Sequence, residues 1–112
     1  MSFSIDRAAF RCTADDFGEQ CAEAGIPGIG TARYYLMSAA CAFLQEKAAQ
    51  QAYPYSLPPA SRTYEYSVDT CPNARDYLDR WLRWSTFCEK CQLEDCGLAA
   101  AIVREVADRN RV

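Results

Sequence analysis

Three prolines within six positions, Pro54, Pro58 and Pro59, forbid regular structure in the middle of this chain and hold it extended. Every helix or strand must therefore be completed before residue 53 or after residue 62, so the sequence is read as two halves.

The first half opens on Phe3-Ser4-Ile5-Asp6, whose apolar/polar alternation predicts a short strand. A helix signature follows. Thr13 is placed as N-cap with Asp16 three residues on, an acidic form of the capping box, and Asp15 favours the positive helix end. Ala14, Phe17, Cys21 and Ala24 then fall on one face. Gly25 supplies a left-handed terminating residue and Pro27 prevents continuation, which makes 25–30 a loop. Leu36, Ala40, Phe43, Leu44 and Lys47 have helical spacing in an Ala-rich context, predicting a helix within 34–50.

In the second half, Tyr64, Tyr66 and Val68 predict a second strand. Asp69 or Thr70 caps a helix with Pro72 in its first turn, where the missing N–H is harmless. Ala74, Tyr77, Leu78, Trp81 and Leu82 continue that helix as a buried stripe, and Trp84 to Phe87 is an extended link. A last helix starts near Gln92 or Leu93, with Glu94 and Asp95 in its first turn. It carries Leu98, Ile102 and Val106 along one face and has a basic end at Arg104, Arg109 and Arg111. The expected fold is α+β: one domain over 1–112, with a short antiparallel sheet packed by three to four helices.

Charge narrows the partners. The net charge is −3 and the arginines are interleaved with carboxylates, so no basic face is available for nucleic acid. The most apolar stretch, Tyr34 to Leu44, is too short to cross a bilayer. No apolar segment of the secretory type follows Met1, so the expected location is cytoplasmic. Most of the seven cysteines are then expected to be reduced thiols serving as small core groups.

Three stretches carry a family resemblance. The first is Phe3 to Asp6, then Thr13-Ala14-Asp15-Asp16-Phe17 and the turn Glu23-Ala24-Gly25-Ile26-Pro27. The second is Cys71-Pro72-Asn73-Ala74 leading into Leu78-Asp79-Arg80. The third is the closing helix from Glu94-Asp95 through Ala99, Ile102 and Val106. In this order they resemble the C-terminal small domain of DegT/StrS-type sugar aminotransferases, which are pyridoxal-phosphate-dependent enzymes of fold type I. The resemblance implies a domain that closes over the substrate pocket, with amino transfer to a keto-sugar nucleotide performed by a larger cofactor-binding domain as its partner. Arg33 and Tyr34, just past the turn, are the implied substrate contacts.

The chain is not expected to hold the cofactor alone. Transamination requires a lysine on the cofactor, a carboxylate at its ring nitrogen and a phosphate cradle. Lys47 lies in an Ala/Gln-rich stretch, Lys90 in a charged link, and histidine is absent. Gly25, Gly28 and Gly30 follow a helix rather than a strand, the wrong context for a phosphate loop. Two alternatives stay open. Cys88 and Cys91 form a C-x-x-C pair which, with Cys96 and Cys71, offers four thiolates for zinc or an iron–sulfur cluster. The fold can also persist as a non-catalytic interaction module. A small domain parted from its neighbour exposes an apolar face, so self-association is a further expectation.

Overall fold

The structure is a computed structural model and describes residues 1–31 and 36–112. It is α+β, and its contacts divide it into two compact units. The first unit is built from both ends of the chain, Met1–Arg33 and Tyr77–Val112; the second is the intervening segment Tyr34–Asp76.

The first unit contains strands β1 (Ser2–Ser4), β2 (Ile29–Thr31) and β3 (Trp81–Trp84) and helices α1 (Ala14–Glu23) and α5 (Leu93–Asn110). The three strands form one antiparallel sheet in the order β1-β3-β2, so the last strand in sequence is central. Phe3 pairs with Leu82 and Thr31 pairs with Leu82 from the other side, while Ile29 pairs with Trp84. Because strand side chains alternate, Phe3, Leu82, Trp84 and Ile29 share one face. Against that face lie Phe17 and Cys21 of α1 and Ala99, Ile102 and Val106 of α5, making a single core. Leu82, Cys21 and Val106 are completely buried. Phe17 meets Phe3 and Phe10 edge-on, at centroid distances of 6.3 and 5.7 Å.

The start of α1 is as expected. Thr13 Oγ1 accepts from Asp16 N at 3.1 Å, and Asp16 Oδ2 accepts from Thr13 N at 3.0 Å, closing the capping box. Gly25 ends the helix at φ +114°. Ala14, Phe17 and Cys21 are buried as the spacing predicts, but Ala24 is the exposed C-cap residue. Gly18 sets how closely α1 lies on the sheet, since a Cβ there would fall 2.9 Å from the Gly30 Cα.

Several expectations are corrected. The helix after Pro72, α4 (Pro72–Leu78), stops short of the tryptophans and buries none of its residues. Trp81 and Leu82 belong to β3, and Trp84 completes that strand rather than opening a link. The i, i+3, i+4 spacing was compatible with a helix, but Trp-Leu-Arg-Trp also alternates with period two, and pairing on both sides decides for the strand. On α5 the buried stripe is Ala99, Ile102 and Val106, leaving Leu98 63% exposed. Of the cysteines only Cys21 is fully buried, and Cys71 and Cys88 are exposed.

The second unit holds α2 (Met37–Ala40) and α3 (Ala42–Ala49), divided at Cys41, whose ψ of 88° interrupts the predicted single helix. Residues 63–66 have no regular structure, and Val68–Thr70 is a 3-10 turn, so the strand expected at Tyr64–Val68 does not form. Ser67 caps that turn through Asp69 N at 3.1 Å, a local bond that competes with strand pairing.

Burial pushes the Cys21 thiol up to about 11 from its ordinary 9.0. The neutral thiol is therefore favoured in the fold. Its contribution to stability is complete below about pH 9 and is lost as pH rises towards about 11. Urea titrations should show a steeper alkaline loss of stability in the native chain than in Cys21→Ala. Leu82→Ala should lower stability by about 3 kcal/mol, whereas Leu98→Ala should change it by less than about 0.5 kcal/mol.

Candidate functional site

Arg33 and Tyr34 lie outside the described residues, but the ground on which they stand is well defined. The turn that precedes them is fixed to the end of β3 by a small polar network. Trp84 Nε1 donates to Pro27 O at 3.1 Å and to Thr86 Oγ1 at 2.8 Å, and Thr86 Oγ1 donates to Pro27 O at 2.5 Å. Ser85 Oγ donates to Gly28 O at 2.7 Å. Thr31 Oγ1, at the last position of β2, donates to Asp15 Oδ1 in the first turn of α1. The chain thus leaves β2 from a point held by α1 on one side and β3 on the other. Gly28 is required in this turn: its φ is +72°, and a Cβ would fall 2.7 Å from Thr86 Cγ2.

Next to this turn the first unit carries an apolar groove of about 480 Å³. One wall is Phe3, Ile29, Trp84 and Phe87, the last two rings 5.2 Å apart; the other is Ala100 and Val103 of α5. Arg104 stands among the lining residues. The sequence carried a signal for this groove in the small residues of α5 that alternate with its buried stripe, but sequence reasoning did not use it.

The second unit has an open groove of about 670 Å³, bordered by Gln45 of α3 and by Thr63 to Val68. Tyr64 and Tyr66 of its border form a cluster with Tyr55. The Tyr55 ring lies 5.5 Å from Tyr64 and 6.0 Å from Tyr66, and the Tyr55 hydroxyl donates to that of Tyr66 at 3.3 Å. That hydrogen bond raises the Tyr55 phenol above its usual range. Arg62 is placed by a cation–π contact, its guanidinium carbon 5.1 Å from the Tyr64 ring centre. Hydroxyls, an amide and the Glu65 carboxylate around aromatic faces can bind a polar ring compound.

Lys47 Nζ sits 4.9 Å over the Phe43 ring on the same helix, and Lys90 is exposed in the link before α5. Neither borders either groove. Cys91 N donates to Cys88 O at 3.1 Å in a tight turn, yet among the described residues no three Cys, His, Asp or Glu side chains gather where they could hold an ion.

Comparison with protein-family models, with curated proteins and with solved structures returns no match.

Gly28→Ala should destabilise the chain by more than about 1 kcal/mol, through left-handed backbone strain and the clash with Thr86. Thermal unfolding measures this. Thr86→Ala in the Gly28→Ala background should recover part of the loss, because it removes the nearer of the two atoms a Cβ would strike, Thr86 Cγ2, and leaves Ser85 Oγ.

Proposed function

We propose that this chain is the small domain of a pyridoxal-phosphate-dependent sugar aminotransferase, covering the pocket for a keto-sugar nucleotide while a separate large domain carries out amino transfer. The observation that carries this reading is the agreement between the resemblance motifs and the element boundaries. Thr13-Ala14-Asp15-Asp16-Phe17 opens α1, Gly25-Ile26-Pro27 is the turn into β2, Cys71-Pro72 opens α4, and Glu94-Asp95 opens α5. Each motif falls where the physical role of its residues demands. Phe17 and Ile26 are in the core, and Asp16 and Asp95 satisfy backbone N–H groups at helix starts.

The reading assigns the chain a wall rather than a reaction. Arg33 and Tyr34 follow the fixed turn and are the proposed substrate contacts, a guanidinium for the diphosphate and a phenol for a sugar hydroxyl. The cofactor and its lysine belong to the partner domain, since Lys47 and Lys90 lack the surroundings that would hold the group.

A chimera tests the proposal. The large domain of a DegT/StrS enzyme, stripped of its own small domain, is fused to this chain and given an amino donor and a panel of keto-sugar nucleotides. Amino transfer is expected with the fusion and not with the stripped domain. Arg33→Ala is expected to raise KM more than it lowers kcat, because it removes binding common to ground and transition states. A soluble, folded fusion that transfers nothing to any keto-sugar nucleotide would contradict the reading.

A further inference from the structure

The apolar groove of the first unit is not used by the reading above, and its chemistry is specific. Trp84 lines it, but the indole N–H is already satisfied by Pro27 O and Thr86 Oγ1, so the ring offers the groove only carbon. Phe3, Ile29 and Phe87 continue that surface, and Ala100 and Val103 on α5 leave open the volume that larger side chains would fill. At about 480 Å³ the space is of small-molecule size. Arg104 is the one charged side chain among its lining residues, which also include Met1, whose N-terminal ammonium donates to Trp84 O at 3.4 Å. Arg109, one turn on, is tied to Glu105, whereas Arg104 has no carboxylate within ion-pair distance among the described residues. A guanidinium beside a carbon-lined slot matches a negative charge on an apolar body.

We infer that this groove binds a medium-chain aliphatic carboxylate, its tail between the aromatic wall and α5 and its head on Arg104. The lining runs along α5 from Cys96 to Ala107, three helical turns or roughly 16 Å, which suits an extended acyl tail. A guanidinium takes a carboxylate through two parallel hydrogen bonds. The site stands independently of the aminotransferase reading, because it requires neither Arg33, Tyr34 nor a second domain.

Calorimetric titration of the full chain with sodium decanoate, below its micelle concentration, tests the inference. Saturable one-to-one binding is expected. Decan-1-ol and the Arg104→Gln variant should each weaken it on the order of tenfold, the scale of one lost charge-assisted contact. Ala100→Phe, at an exposed helix position, should abolish binding by filling the groove while the circular dichroism stays unchanged. Equal affinity for decanoate and decanol, or an unaffected Arg104→Gln, would overturn the carboxylate assignment. No saturable binding would overturn the site itself; sedimentation then asks whether a second copy fills the groove.

Discussion

The first unit depends on β3, four residues that hydrogen-bond β1 on one side and β2 on the other. Without that strand the two segments contributed by the beginning of the chain have no partner, since β1 and β2 do not pair with each other. Leu82 is the point where pairing and packing coincide. Its backbone is central in the sheet, and its side chain is sealed beneath α1, where the close approach at Gly18 brings a methyl group into contact. The whole intervening segment is thereby an insertion between two strands that must meet. Forming the sheet requires closing a loop of some fifty residues, whose entropic cost grows only slowly with length.

This dependence explains what could be read from sequence. Local signals were reliable: the Thr13–Asp16 box, the Gly25-Ile26-Pro27 stop, Pro72 at a helix start and the acidic opening of α5 all appear as expected, because each is decided by atoms within a few residues. The errors lie where a distant segment decides. Trp81 and Leu82 fit a helical stripe as well as a strand, and only the presence of β1 and β2 on either side selects the strand. Leu98 has helical spacing with Ile102 and Val106, but the sheet accepts the face carrying Ala99, Ile102 and Val106. Tyr64 to Val68 had strand composition but no neighbouring strand, and the Ser67 cap draws its end into a 3-10 turn.

The candidate site was legible in the same uneven way. Arg33 and Tyr34 were singled out by their place after the turn, and the turn's rigidity follows from Trp84, Ser85 and Thr86, residues more than fifty positions later that no local pattern ties to Pro27 or Gly28. The grooves are likewise products of assembly. One needs small residues on α5 to face aromatic residues on the sheet, and the other needs Thr63 to Val68 to lie beside α3.

What unites these features is that the described residues make surfaces and a rigid turn, and neither groove has a lysine in its lining. Titration of the purified full chain with pyridoxal phosphate, followed by borohydride trapping and peptide mapping, tests this most directly. The expected result is slow, non-saturating labelling at Lys47 and Lys90, as on any accessible lysine. Saturable, stoichiometric capture at one of them, accompanied by turnover of an amino-sugar nucleotide without any second polypeptide, would contradict it.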